Sequence, residues 1–225
     1  MSVGDSGLDG VPASVRAQLL ATEHWSLLAT RSQTWSEVIG RIAVYLTLVS
    51  ASVVSLALVA QASGFGTEFR LMALTLSAVI LLLGTLTYLR VHNASTDDMN
   101  LVIGMNRLRA AYAAMAPGLE EYFVASHHDD QAGVMQTYGM GVRRGIGQPL
   151  ASATMFVAVV NGIVAGALGA LVAEAVGAEV ALVAVAGAVV GLTDLTLTVS
   201  LSARHYLRAM ASYQPHFPSP VSASV

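Results

Sequence analysis

LMALTLSAVILLLGTLTYL (71–89) decides the fold. Arg70 and Arg90 flank it, and no charged side chain lies between them. As a helix rising ~1.5 Å per residue it covers about 28 Å, close to the thickness of a bilayer's hydrocarbon core. Outward from it, the chain repeats the pattern. No charge falls between Arg41 and Glu68 or between Arg144 and Glu174, and only Asp194 interrupts the run from Glu179 to Arg204. These runs predict membrane-crossing helices over 42–62, 71–89, 149–172 and 180–203. The expected fold is all-α: a polytopic membrane protein with four transmembrane helices in two hairpins and a cytoplasmic helical segment between them.

Composition agrees. The 225 residues are 55% hydrophobic and 11% charged, with mean hydropathy +0.64. A soluble domain carries about 25% charged residues. The absence of Cys excludes disulfides, thiolate metal sites and thiol nucleophiles. A formal charge of −3 gives no reason to expect nucleic acid as a partner. Residues 1–11 have neither a basic n-region nor an apolar core, so the first span is expected to direct insertion.

The arginines orient the chain. Arg16, Arg31 and Arg41 precede the first span, and Arg90, Arg107, Arg109, Arg143 and Arg144 lie between the hairpins. Arg204 and Arg208 follow the last span, leaving Arg70 alone on the other side. Cytoplasmic loops carry the excess of positive charge. Both termini and the middle segment are therefore expected in the cytoplasm, with the lipid bilayer as partner. The resulting division is a disordered tail (1–11), an amphipathic cytoplasmic or interfacial helix (12–41), a first hairpin (42–89), a cytoplasmic helical segment (90–148), a second hairpin (149–203) and a cytoplasmic tail (204–225). The Pro- and Ser-rich end, 215–225, reads as disordered.

In the helix over 12–41, Ala21, Trp25, Leu28, Ser32, Trp35 and Ile39 recur at steps of four and three. This mostly apolar stripe is the face expected to pack or to anchor at the interface. In the middle segment, Ser95 and Thr96 are candidate N-caps ahead of Asp97 and Asp98. Leu101, Met105, Leu108, Tyr112 and Met115 then form a helical stripe that Pro117-Gly118 ends. Its expected partner is the N-terminal helix of the same chain, with an oligomer contact as the sharper reading.

His127, His128, Asp129 and Asp130, near Glu120 and Glu121, have the chemistry of metal ligands. Adjacent residues on a helix point about 100° apart, so this spacing does not converge on one ion. A capping box, with Ser126 ahead of Asp129, accounts for it better and opens a helix toward Val142. No metal or other cofactor is expected. Gly139, Gly141, Gly145 and Gly147 around Arg143 and Arg144 follow no strand, so they read as a basic, lipid-contacting lead into the third span and not as a phosphate loop.

Inside the membrane, Gly162 with Gly166 and Gly187 with Gly191 form two GxxxG motifs. Small faces let helices approach closely, so the last two spans are expected to pack on each other or across a subunit interface. Asp194 is the expensive residue, at about 2.5–3.5 kcal/mol on insertion scales. Asn161 lies at a comparable depth and can hydrogen-bond it if the two helices are antiparallel neighbours, with Thr193, Thr196 and Thr198 as nearby alternatives.

LLATEHWSLLATRSQTWSE (19–37), MNRLRAAY (105–112) and SHHDDQAG (126–133) together resemble a family of uncharacterised bacterial four-span membrane proteins. The resemblance covers most of the chain. It implies a bacterial four-helix integral membrane protein and carries no activity or site residues. No nucleophile is paired with a base, so a non-enzymatic role is expected. The leading expectation is a self-associating protein of the cytoplasmic (inner) membrane with a helical contact or sensing segment. The alternative is a small oligomeric pore or ion-conducting protein using Asp194 and Asn161.

Overall fold

The computed structural model describes residues 10–139 and 152–220. Among these residues the structure is helical and has no strand. The helices are α1 (Ala13–Ser63), α2 (Thr67–Met115), α3 (Gln131–Gly139), α4 (Ala153–Ala175) and α5 (Val180–Ser212), with a 3₁₀ turn at Leu119–Tyr122. α1, α2, α4 and α5 are each long and apolar enough to cross a membrane.

The long helices run through several expected boundaries. The carbonyl of Pro12 accepts from the amides of Val15 and Arg16, which starts α1. α1 then continues for 51 residues, so the N-terminal amphipathic helix and the first span are one element. α2 likewise spans 49 residues. Ser95 and Thr96 therefore lie inside a helix and not at its start. The hydroxyl of Ser95 donates back to the Val91 carbonyl at 2.9 Å, the bond a serine makes inside a helix. Gly118, with φ 91°, supplies the left-handed turn after α2. Gly177, with φ 80°, does the same after α4, where its amide donates to the Glu174 carbonyl at 2.9 Å. Residues 1–9, Gly141, Arg143, Arg144, Gly145, Gly147, the expected start of the third span at 149–151 and the last five residues lie outside the described residues.

The chain divides into two compact units. The first comprises Met1–Thr34, Thr96–Arg144 and Ser212–Val225. Within it α1 and α2 run antiparallel: Arg31 pairs with Asp98, Leu27 meets Gly104, and His24 stacks on Tyr112. Val102, Ile103, Met105 and Leu108 of α2 are buried together with Val134 of α3. The expected stripe on α2 is thus intramolecular core over Met105 and Leu108. Sequence reading missed Val102 and Ile103, because α2 is covered on more than one side here.

Of the two roles expected for the apolar stripe of α1, packing within the first unit falls to a different face. Its sheltered positions are Arg16, Leu20, His24, Leu27 and Arg31, one step round from the apolar stripe. Trp25 is 73% exposed and Leu28 38% exposed. The physical reason is the partner: this part of α1 faces Asp98, Tyr112 and Tyr138, and charged and hydrogen-bonding groups meet them better than apolar ones do.

The second unit comprises Trp35–Ser95 and Gly145–Ala211, and it holds the charge-free runs. Val38, Tyr45, Ile80, Tyr88, Val91 and Val157 form its core, with Trp35 packed against it. Glu37 lies opposite Arg90 and Tyr45 opposite Gly84, so α1 and α2 are antiparallel here also. At one end Arg70 pairs with Glu174 at 3.2 Å; at the other, Ser95 meets Thr154 at 3.2 Å. α4 therefore runs antiparallel to α2. The glycines of α4 and α5 face each other: a Cβ on Gly191 would stand 2.7 Å from the Gly162 carbonyl oxygen, and one on Gly166 2.9 Å from that of Gly187. Of the two partners expected for these faces, the structure has α4 and α5 packed on each other.

Candidate functional site: a polar layer among the apolar helices

Each of the four apolar helices carries one polar side chain into the same region of the second unit: Tyr45 from α1, Thr85 from α2, Asn161 from α4 and Asp194 from α5. The Tyr45 hydroxyl donates to Asn161 Oδ1 at 3.4 Å, and Asn161 Nδ2 donates to Thr85 Oγ1 at 3.2 Å. The Thr85 hydroxyl donates in turn to the Leu81 carbonyl at 2.8 Å. Tyr45 is 2% exposed and Asn161 4% exposed. Asp194 lies close enough to Tyr45 for the two groups to interact electrostatically. Its Oδ2 is buried and finds no hydrogen-bond partner among the described residues.

Gly84 makes this layer fit. A Cβ there would clash with Asn161 Oδ1 and lie 2.6 Å from the Tyr45 hydroxyl. The lone glycine of the charge-free run 71–89 is thus the space that the amide and the phenol occupy. It was a readable signal, as was Tyr45, the one aromatic hydroxyl among residues 42–62.

The expected Asn161–Asp194 hydrogen bond is corrected by this geometry. Gly162 faces Gly191 and Leu195 of α5. Its neighbour Asn161 points about 100° away from that contact, toward α1 and α2. Asn161 therefore spends its amide on Tyr45 and Thr85, and Asp194 is left without it.

The residues considered as metal ligands serve the first unit instead. Asp129 is fully buried. Its Oδ2 accepts from Arg107 Nε at 2.8 Å, the Tyr213 hydroxyl at 2.7 Å and the His216 amide at 3.0 Å, while Oδ1 accepts from the Phe217 amide at 2.7 Å. Burial alone would raise its pKa, but these four donors outweigh it and hold the carboxyl at about 2. Asp130 accepts from the Gly133 amide at 2.8 Å and from Ser219 through both amide and hydroxyl. Asp130, not Ser126, thereby caps α3, and the Ser126 hydroxyl accepts from the His128 amide at 3.0 Å in a tighter turn. The His127 and His128 rings lie 4.1 Å apart, and burial pushes the His127 imidazole below its ordinary pKa, with His128 adding to the effect. Among the described residues no three His, Asp or Glu side chains converge as a metal site.

Two further consequences correct the sequence reading. Residues 213–219 are not a loose tail but a strap pinned by Asp129 and Asp130. A second buried carboxylate, Asp98, accepts from Arg31 Nε at 2.6 Å and from the Tyr138 hydroxyl at 2.6 Å. These pairs join residues far apart in the chain, and no local pattern announces them. No family model, curated protein or solved structure matches the chain.

Proposed function

We propose that the chain is a multi-pass protein of the bacterial cytoplasmic membrane, as in the family it resembles. Its apolar helices form two transmembrane hairpins, and the first unit is a cytoplasmic contact or sensing module through which copies associate. The hairpin reading is supported by the Arg70–Glu174 pair, which brings the start of α2 and the end of α4 to one end of the second unit. The remaining arginines fall outside the charge-free runs on the other side, as the charge rule for cytoplasmic loops requires.

One observation carries the contact role. The first unit leaves Leu19 60%, Trp25 73%, Tyr122 80% and Val124 72% exposed, although these residues lie outside the charge-free runs that lipid would cover. Exposed large apolar side chains in that setting mark an interaction surface. The sequence has no cysteine, so Trp25→Cys introduces a unique thiol. A short bismaleimide is expected to convert that variant to a covalent dimer in membranes, and native mass spectrometry of the unmodified chain is expected to show an oligomer. A monomer by both measurements would overturn self-association.

A further inference from the structure

We propose that Asp194 is an exchangeable proton-binding site: its carboxyl group takes up and returns a proton within the helix bundle, with Tyr45 as its polar neighbour. This reading does not depend on the oligomer contact of the first unit.

The argument starts from what surrounds the group. Over the charge-free parts of the four helices, Asp194 is the sole ionisable acid and no base accompanies it. Tyr45 is the titratable side chain that faces it from α1. Residues 71–87 of α2 have none, and the first to follow is Tyr88, whose hydroxyl is engaged by the Thr198 carbonyl and by Ser202. α4 has none before Glu174, which Arg70 pairs. On α5 itself the next are Arg204 and His205, about 15 Å along the helix. His92 of α2 lies against His205 there, with ring centroids 5.4 Å apart.

An anion with no cation and no full set of donors is costly in such a place. The buried Oδ2 without a partner expresses that cost in the structure. Binding a proton removes the charge and gives the carboxyl a hydrogen to donate. A purely structural polar residue would be expected to close its hydrogen bonds, as Asn161 does with Tyr45 and Thr85. Asp194 stands beside that closed set and outside it. The set has been given room: only a glycine at position 84 leaves space for the amide and the phenol. A neutral dipole such as the Tyr45 hydroxyl beside an isolated acid stabilises the carboxylate enough to let the proton leave, without a fixed cation that would keep the acid permanently ionised.

The test is infrared spectroscopy of the full chain in lipid nanodiscs, following the carbonyl band of a protonated carboxylic acid from about pH 5 to about pH 10. The band is expected at the acid end and absent in Asp194→Asn. The protonated fraction should fall about tenfold per pH unit above its midpoint. Asp194→Glu should keep a titrating band at a shifted position, which separates loss of the acid from loss of the fold. Tyr45→Phe removes the polar hydroxyl that faces the carboxyl group and should move the midpoint to higher pH; a merely packing role would leave it in place. Identical spectra for the unmodified chain and Asp194→Asn would overturn the proposal, as would an Asp194 band that never titrates. A band that sodium abolishes at constant pH would assign the position to sodium and overturn the proton.

Discussion

Asp129 shows how one residue can hold a segment that composition describes as loose. Its carboxylate is fully buried and ties Arg107, Tyr213, His216 and Phe217 together. Its pKa lies at about 2 against an ordinary 3.8, so folding is linked to its ionisation. A depressed folded-state pKa means the stabilisation is fully present above the unfolded value. It is lost as pH falls from about 4 through about 2, and amounts to about 2 kcal/mol. Hydrogen exchange should therefore find the His216, Phe217 and Ser219 amides protected at about pH 6 and progressively less so below about pH 4. Asp129→Ala should remove that protection at the His216 and Phe217 amides at every pH, because it takes away the acceptor that both of them share with Arg107 and Tyr213. Unchanged protection at the Phe217 amide in that variant would show that the strap is held by something other than Asp129.

At the scale of elements, the close approach of α4 and α5 rests on five glycines, Gly162, Gly166, Gly169, Gly187 and Gly191, and that of α1, α2 and α4 on one. Gly191→Ala puts a methyl 2.7 Å from the Gly162 carbonyl oxygen, a backbone atom that cannot rotate aside. Gly84→Ala drives one into Asn161 Oδ1 and puts it 2.6 Å from the Tyr45 hydroxyl, both side-chain atoms. Both should lower thermal stability in detergent, by about 1–3 kcal/mol each. They should differ in kind. Gly191→Ala must push α4 and α5 apart, whereas Gly84→Ala can be relieved at the polar layer, so Asn161→Ala should rescue it and leave Gly191→Ala unaffected. Failure of that rescue would mean that Gly84 is needed for backbone reasons alone. The glycine faces were legible in the sequence because spacing of four is a local pattern and apolar runs leave little else to read. The polar layer was half legible: Asp194 and Asn161 stand out by cost, but their surroundings are built by other helices. Of the two roles expected for the apolar stripe of α1, packing within the first unit goes to the adjoining face for a related reason. Hydrophobic periodicity finds the apolar side of a helix, and here the neighbouring surface with Asp98 and Tyr138 selects the polar side.

Across the whole molecule, charge and hydropathy determine what can be said of its surroundings. The four long helices expose apolar side chains along their charge-free parts, among them Leu48 at 41%, Leu58 at 60%, Leu82 at 61%, Ile163 at 67% and Leu197 at 58%. In water such a surface would drive aggregation, and in hydrocarbon it costs nothing. The number of apolar helices was legible at once, because length and lack of charge are additive along the chain. The orientation proposed above rests on the arginine distribution alone, and it is open to a direct experiment. Single cysteines at two exposed positions, Tyr122 (80% exposed) and Val176 (79% exposed), can be probed with a maleimide that does not cross membranes. In intact cells Val176→Cys should react, because the link between α4 and α5 is the proposed outer loop. Tyr122→Cys should react only after the membrane is opened, because it follows α2 in the proposed cytoplasmic unit. The reverse pattern would invert the orientation and place the Asp129 strap outside the cell. Reaction of both in intact cells would put Tyr122 and Val176 on one face of the membrane. A single crossing by α4 between them forbids that, so this outcome would remove α4 from the set of spanning helices.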